Sequence, residues 1–438
     1  MVSAYRTLED RGLIEARPQS GFYVRSTLPA LKMASAPSGR IEPPADDVLA
    51  LIDTVFAAQQ NPAFTNIALA CPQTSDFYPG GKLGRMLSSQ LRRQPDLIGQ
   101  YSLPPGSLRL RQQIARRSMT LGMLLEPGDV VLTHGCMEAL QLALRVTTKP
   151  GDCVGLESPT YFYLLPLLAS LGLKALEIPT DPLTGVSLAA LEMALEQWPI
   201  KAILLTPNCN NPLGYIMPDA HKQRLLTLAQ RHDAAIIEDD VYGDIAYHYP
   251  RPRTIKSFDE DGRVLLCSSF SKTLAPGLRV GWIAPGRYLE RVLHMKFIGS
   301  GATATQPQLA IAEFIRGGHY LQHLRRMRAR YQQNRDRMTD LILKHFPAGT
   351  RVSRPRGGFM LWIELDEAFD TLRLNRHLEQ QGVQIAVGSI FSAAGKYRNC
   401  LRINYAPKLT AEIEQAVQRV GATILALMPS GVLQPQAD

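Results

Sequence analysis

Short apolar segments alternate with amphipathic segments through most of this chain of 438 residues. The apolar segments 130–132, 202–205 and 234–237 have the length and the β-branched content of buried parallel strands. Amphipathic helices are predicted between such strands, for example over 108–117 and 219–231. This alternation predicts an α/β fold with a mainly parallel sheet flanked by helices.

The pattern changes near residue 335. Downstream of a long helix predicted over 319–346, an apolar strand and two further helices predict a smaller α/β domain, over 359–365, 370–381 and 410–427. We expect two domains: a small one formed by 46–90 together with 335–430, and a large one over 91–334.

The first 45 residues differ from the rest. A short helix is predicted over 2–12, and two strands joined by a turn are predicted over 13–25. Helix, strand, turn and strand is the order of a recognition helix and wing, so residues 1–25 are interpreted as a partial winged helix-turn-helix. Residues 26–45 are rich in Pro, Ser and Ala, which predicts a flexible linker. A basic arm without its own fold remains the alternative, because 25 residues cannot bury a core.

The stretch 267–281 carries the most informative chemistry. It places Lys272 among Ser269, Ser271 and other small hydroxyl residues, and Arg279 follows seven positions later. A lysine that attacks an aldehyde cofactor needs a desolvated site, and a cofactor phosphate needs hydroxyl donors and a guanidinium. Pyridoxal 5'-phosphate (PLP) has both groups. A polar loop with a solvated lysine is the alternative for this stretch alone.

Polar residues also follow two other predicted strands. Asp239 comes after 234–237, and a carboxylate there could keep a pyridine nitrogen protonated. Tyr242 could hydrogen-bond the ring hydroxyl, and Asn211, in a tight Asn-Pro turn, could donate its amide to a ring oxygen. Taken singly, the Asp239 segment is more typical of a helix N-cap or solvated turn, and the Asn211 segment of an ordinary strand-to-helix turn.

Two more segments complete the pattern. Gly135, Cys136 and Met137 stand at a predicted helix start, where free N–H groups can bind phosphate. Arg402 lies in an alternating strand far along the chain and could form a forked pair with a substrate carboxylate.

The order of these segments over about 46–430 resembles the fold-type I PLP enzymes, specifically the class I and II aminotransferases. The resemblance implies a large domain with a mainly parallel seven-stranded sheet. It also implies roles for the residues above: Lys272 as the Schiff-base lysine, Asp239 at the pyridine nitrogen, Tyr242 and Asn211 at the ring hydroxyl, Ser269, Ser271 and Arg279 at the phosphate, and Arg402 at the α-carboxylate.

The same resemblance adds two tyrosines. Tyr161 matches the aromatic residue that stacks on the cofactor ring, and Tyr101 matches a tyrosine that reaches the phosphate from the neighbouring subunit. The second match implies a homodimer. Leu213 stands where the family's turn usually carries threonine, and Cys136 with Met137 replaces the small or hydroxyl residues common at the phosphate site.

Residues 5–14 and 20–24 resemble the end of the GntR-type DNA-binding domain. A GntR-type domain followed by an aminotransferase-like domain resembles the MocR-type transcription regulators. The first helices of the DNA-binding module have no counterpart here, so we expect an N-terminally truncated form of that arrangement.

Composition and charge indicate which classes of location and partner fit this protein. No apolar run approaches the roughly 18 residues of a membrane span, and no signal pattern is seen, so a cytoplasmic protein without membrane attachment is expected. The six cysteines are scattered without metal-ligand spacing, which predicts no metal site.

The net charge of +9 favours anionic partners. Arginines in 1–25 are interpreted as DNA-binding, and those in 325–330 as a solvated face.

Two functions remain open from sequence. The first is a PLP-binding transcription regulator whose aminotransferase-like domain senses PLP or an amino compound, and which binds DNA if the full winged-helix domain is present. The second is an aminotransferase that moves an amino group between an amino acid and a 2-oxo acid. Other PLP chemistry, such as decarboxylation or racemisation, is a third interpretation.

Overall fold

The computed structural model describes residues 14–17, 21–24, 46–59, 61, 63–69, 71 and 78–428. The helix predicted over 2–12 and the linker predicted over 26–45 lie outside these residues. Strands β1 (Ile14–Arg17) and β2 (Gly21–Val24) pair antiparallel, with Ile14 opposite Val24. Two paired strands are therefore described where the wing was predicted, and the winged-helix assignment itself stays a prediction.

The described residues form helices and further strands in regular alternation. The helices are α1 (Asp46–Gln59), α2 (Gly80–Arg93), α3 (Leu108–Met119), α4 (Cys136–Thr147), α5 (Leu164–Ser170), α6 (Leu188–Gln197), α7 (Asp219–Arg231), α8 (Leu289–Gly299), α9 (Thr305–Arg316), α10 (His319–His345), α11 (Thr371–Gln380) and α12 (Ala411–Leu427). The strands after β2 are β3 (Thr65–Asn66), β4 (Val131–Thr133), β5 (Cys153–Ser158), β6 (Lys174–Asp181), β7 (Gly185–Val186), β8 (Ile200–Leu205), β9 (Ala235–Asp239), β10 (Val264–Ser269), β11 (Gly281–Ala284), β12 (Arg351–Val352), β13 (Met360–Glu364), β14 (Val383–Gln384), β15 (Ala386–Val387) and β16 (Cys400–Asn404).

The large sheet has the strand order β4-β11-β10-β9-β8-β5-β6-β7. Strands β10, β9, β8, β5 and β6 run parallel, whereas β11 is antiparallel to both of its neighbours. The expected mainly parallel sheet is confirmed. Seven of its strands are longer than two residues. The eighth is the two-residue β7, which pairs antiparallel with β6 at the edge and was not predicted.

The central strands are buried at almost every position, as expected for a sheet covered on both faces. All residues of β5, β9 and β10 are buried. The predicted helices 219–231 and 319–346 correspond to α7 and α10. The periodic apolar positions of α10, such as Leu324 and Met338, face the core.

A second, antiparallel sheet has the order β12-β13-β16-β15. In it Trp362 pairs with Arg402 in register, which places the Arg402 backbone on a central strand. The short strands β3 and β14 pair in parallel beside it, so the segment near residue 65 joins the part of the chain after 380. The division into 46–90 plus 335–430 and 91–334 stays a prediction.

Across the described residues, no helix is both long and apolar enough to cross a membrane. The same residues contain no group of three or more His, Cys, Asp or Glu side chains placed to hold a metal ion. All six cysteines are free thiols, and five of them are buried.

Candidate functional site

The Lys272 loop begins where two parallel strands end side by side. Cys267 of β10 lies opposite Asp239 of β9, and the Ser268 hydroxyl donates to the Asp240 carbonyl at 2.9 Å. The Leu274 N–H then donates to the Phe270 carbonyl, which closes the loop around Lys272. Lys272 therefore lies at the carboxyl edge of the sheet, as parallel α/β architecture favours for ligand sites.

The residue after Lys272 anchors this loop to α10. The Thr273 hydroxyl accepts a hydrogen bond from Tyr320 at 2.8 Å, and the Thr273 carbonyl lies 2.8 Å from His323 Nε2. Burial lowers the pKa of Lys272, and the nearby Arg402 and Arg279 charges add to this effect. A lowered pKa increases the fraction of neutral amine, which is the nucleophilic form.

Asp239 is buried at the end of β9. Burial raises the pKa of its carboxyl group to about 7, although a hydrogen bond from the Cys136 thiol, 3.4 Å from Oδ1, opposes the shift. Sequence reasoning assigned Cys136 only a backbone role. The structure also places its side chain against Asp239.

Gly135 and Arg279 lie together at the start of α4. Gly135 has φ of 77° and ψ of 177°, a conformation that side chains rarely adopt, and a Cβ there would overlap Arg279 Nη2. The helix begins at Cys136 without a side-chain cap, so its first N–H groups point to this space. Met137 follows in the same half-buried first turn.

Guanidinium and hydroxyl groups lie beside Gly135, and we call Gly135, Ser269, Ser271 and Arg279 the cradle. Arg279 Nη1 donates to Ser271 Oγ at 3.4 Å, and Arg279 Nη2 donates to the His134 carbonyl at 3.3 Å. The Ser269 hydroxyl accepts from the Ser271 N–H at 3.3 Å. Helix N–H groups, a guanidinium and two hydroxyls around a glycine that admits no Cβ form a donor set that fits a phosphate.

The Asn211 amide links Tyr242 to Arg402. Its Nδ2 donates to the Tyr242 hydroxyl at 3.4 Å, and its Oδ1 accepts from Arg402 Nη1 at 2.8 Å. Burial raises the pKa of Tyr242, so its hydroxyl stays protonated. The structure thus brings together the three residues that the sequence assigned to the cofactor hydroxyl and the substrate carboxylate.

Arg402 is fully buried, yet within the described part of the chain it has no acidic partner within ion-pair distance. Its Nη2 donates to the Ala68 carbonyl at 2.6 Å, while its buried Nε has no hydrogen-bond acceptor among those residues. Its Cζ lies 5.0 Å from the Phe391 ring centroid and 5.5 Å from that of Phe162. Burial lowers the pKa of Arg402 to about 10. A buried cation with an unused donor fits a ligand carboxylate.

The two predicted tyrosines lie in different environments. Tyr161 is half-buried and stacks on Tyr163, with ring centroids 5.1 Å apart and planes 21° apart. Tyr101 is 87% exposed, so one chain alone does not bring it into the pocket.

Glu157 is a buried site residue that sequence reasoning missed. It lies near the end of β5 and accepts from the Thr206 N–H and from Asn210 Nδ2, both at 2.9 Å, and from the Tyr215 hydroxyl. Burial raises the pKa of its carboxyl group to about 8. These bonds fix the turn that carries Asn211. An acid inside an otherwise apolar strand was the available sequence signal.

A second missed contribution comes from the chain before α2. The Tyr78 hydroxyl donates to the Ser271 carbonyl at 3.5 Å, and Asn404 Nδ2 donates to the Cys71 carbonyl at 3.0 Å. Together with the Ala68 carbonyl, these contacts join the chain before α2 to the Lys272 loop and to the strand that carries Arg402.

A lysine at the edge of a mainly parallel sheet, a buried carboxylate and a phosphate-type donor set define the class of the fold-type I PLP-dependent enzymes. The sequence profile described as aminotransferase class I and II matches residues 78–420. The chain belongs to the class I and II aminotransferase family, in a branch that includes HTH-type transcriptional regulators. PLP is the cofactor of this family, as predicted.

Individual relatives support both parts of this assignment. An uncharacterized HTH-type transcriptional regulator of Escherichia coli, YjiR, is 47% identical over 97% of this chain and 90% of its own. Aromatic-amino-acid aminotransferase 1 of Thermococcus litoralis is 30% identical over 81% of this chain and 86% of its own. The crystal structure of LysN, the α-aminoadipate aminotransferase of Thermus thermophilus, complexed with N-(5'-phosphopyridoxyl)-L-leucine, aligns with a TM-score of 0.80 at 26% identity. It covers 88% of this chain and 98% of its own. The predicted MocR-type resemblance and the fold class are confirmed.

Proposed function

We propose that this protein is a transcription regulator whose aminotransferase-like domain binds PLP and senses PLP or an amino compound. The observation that carries the proposal is the 47% identity to an HTH-type transcriptional regulator over 97% of the chain. A pocket with a cofactor end and a carboxylate end supports it, because a sensor of an amino compound needs both.

The cofactor end would hold PLP through side chains of the large sheet. PLP supplies an aldehyde that reacts with amines and a ring that accepts electrons. Lys272 would hold it covalently through Nζ, and Asp239 would hold a proton on the ring nitrogen. The cradle of Gly135, Ser269, Ser271 and Arg279 would bind the phosphate, with the N–H groups of Cys136 and Met137. Tyr242 and Asn211 would orient the ring hydroxyl, and Tyr161 would cover the ring face.

The carboxylate end would select the ligand. Arg402 has the unused Nε donor and the planar guanidinium that suit a carboxylate, so an amino acid or a related amino compound is the expected ligand class. The Lys272 amine, once displaced from the cofactor, could accept a proton from the bound amino compound, because burial lowers its pKa.

The assembly belongs to the same proposal. Tyr101 would complete the phosphate site of a second copy of this chain, which accounts for a tyrosine that is 87% exposed beside the apolar and exposed Ile98 and Leu103. Residues 1–25 would contribute to DNA binding, joined by the linker 26–45.

Aminotransferase activity is the second candidate, because every side chain proposed for the chemistry is present and a relative 30% identical is named an aminotransferase. The discriminating experiment pairs two assays on the purified chain. Amino-group transfer from each amino acid to a 2-oxo acid is followed at steady state, and footprints on selected genomic fragments are recorded with and without PLP and amino acid. We expect a specific footprint whose affinity changes with these ligands, and slow turnover. Rapid turnover without a footprint would contradict the regulator proposal.

A further inference from the structure

The positive charge of this protein is concentrated on four neighbouring helices. Helices α2, α3, α9 and α10 carry sixteen of the 48 Lys and Arg residues but only three of the 39 Asp and Glu residues. The remaining chain therefore has an acidic balance. The four helices are contiguous, because α9 packs against α2, α3 and α10.

Three contacts show that four helix ends converge at one place. Lys82 Nζ of α2 lies 3.1 Å from His319 Nδ1 at the start of α10, and the Phe314 ring of α9 lies 5.6 Å from the His319 ring. Arg117 of α3 lies over the Tyr320 ring, with Cζ 4.3 Å from its centroid. The start of α2, the ends of α3 and α9, and the start of α10 therefore meet.

Five exposed arginines lie within two helical turns of this meeting point, and we call them the basic junction: Arg85, Arg116, Arg316, Arg325 and Arg326. Among the residues that the structure describes, none of the five has an acidic partner within 4 Å. Two carboxylates that contact these helices have other partners: Asp244 pairs with Arg117 and Arg251, and Glu313 accepts from Gln90.

We propose that the basic junction binds the phosphate backbone of duplex DNA. This goes beyond the proposed function, which places DNA contact only in residues 1–25. Unpaired arginines repel one another, and arginines that neutralise DNA phosphates release the cations condensed on the DNA, which favours binding. Nucleic acid is favoured over a membrane surface because, in the described residues, only two exposed large apolar residues, Met119 and Leu321, lie near the five arginines. Interfacial helices interleave many large apolar side chains with basic ones.

A matched pair of variants of the PLP-loaded full chain tests the proposal. Arg325→Gln/Arg326→Gln removes two charges from the junction, and Arg373→Gln/Arg376→Gln removes two exposed charges from α11. Affinity for a random-sequence duplex is measured by fluorescence anisotropy as salt increases. The junction variant should bind the duplex more weakly, and its slope of log affinity against log salt should be less steep by about one to two, since each phosphate contact contributes about 0.9. The control should match the unchanged protein.

Equal slopes for the two variants would overturn the proposal. So would an unchanged protein that binds phosphatidylserine vesicles but no duplex, because that result would assign the junction to a membrane surface. PLP content, measured for each variant, verifies that the domain is folded. Failure of the regulator proposal is seen separately, as absence of any preferred sequence in the footprint assay, and does not affect the slope comparison.

Discussion

The two ends of the pocket are built in different ways. At the cofactor end, Lys272, Asp239 and the α4 start follow three strands of one sheet, β10, β9 and β4. At the carboxylate end, Arg402 is held by Asn211, 191 residues away in the chain, and by the Ala68 carbonyl, 334 residues away. The cofactor end depends on one sheet, whereas the carboxylate end depends on three distant segments meeting.

This difference suggests how a sensor could separate its two signals. PLP would bind at the edge of the large sheet, to a cradle whose hydrogen bonds do not include Arg402. An amino compound that contacts Arg402 would affect Tyr242 through Asn211, which bonds both residues, but it would leave the contacts of the phosphate cradle unchanged. Changes at the carboxylate end should therefore leave PLP bound, and changes at the cradle should weaken PLP first.

The largest effect is expected from Arg402→Lys. A lysine keeps the charge but loses the planar fork, so the affinity for an amino acid ligand should fall by about 3 kcal/mol, roughly 150-fold. Titration of the bound-cofactor absorbance with amino acid measures this loss. Arg398→Lys, at an exposed arginine that pairs with Asp370, is the matched control. An equal loss of PLP itself from the Arg402 variant would show that the two ends are not separable.

The next effect is expected from Gly135→Ala. The alanine would be strained at φ of 77° and would overlap Arg279, so PLP affinity should fall by about 2 kcal/mol, roughly 30-fold. Equilibrium dialysis with PLP gives the affinity. Gly128→Ala is the control, because a Cβ there has no atom within 4 Å. If both variants bound PLP like the parent, the cradle would not be the phosphate site.

The smallest effect is a pH dependence of the PLP-free protein. The pKa of Asp239 is raised from 3.8 to about 7, so the folded state holds a proton that the unfolded state has lost between these values. Stability should therefore fall as pH rises through this window, by about 1 kcal/mol per pH unit for one such group. Glu157 and Glu238, with pKa values raised to about 8 and about 7, act in the same direction.

Comparison with Asp239→Asn isolates the Asp239 contribution. Urea unfolding midpoints are measured between pH 5 and pH 8 for both PLP-free proteins. The variant should lose less stability as pH rises, because it lacks the Asp239 carboxyl group while both glutamates remain. Parallel curves for the two proteins would mean that Asp239 is ionised throughout this range.

The comparison of the two ends also explains what the sequence could predict. The residues of the cofactor end could be predicted from sequence, because the end of a buried strand is visible as the end of an apolar segment. Such segments are closely followed by Lys272, Asp239, Asn211 and Tyr242. Residues that act through contacts between distant segments could not be predicted from the sequence. Neither the three donors to Glu157 nor the Ala68 carbonyl beside Arg402 can be derived from periodicity, since both depend on how separate segments meet.

The positions that depart from the family pattern, Cys136 and Leu213, show the same limit of prediction from sequence. Cys136 was expected to act through its backbone, yet its thiol also contacts Asp239, from a position 103 residues away. At Leu213 the N–H donates to Asn210 Oδ1 and the side chain lies in the core, so this turn bond is made by the backbone. Backbone roles could be predicted from turn chemistry, whereas side-chain contacts across the pocket required the fold.

The central claim is that Lys272 binds PLP covalently, and mass spectrometry after borohydride reduction tests it most directly. The protein is incubated with PLP, reduced and digested, and every lysine peptide is examined. Lys222 and Lys296 serve as internal controls, because both are buried lysines whose amines are committed to Asn208 and Glu138. The account predicts one reduced PLP adduct, on Lys272, and none in Lys272→Ala. A well-folded protein without an adduct on Lys272, or with its adduct on another lysine, would contradict it.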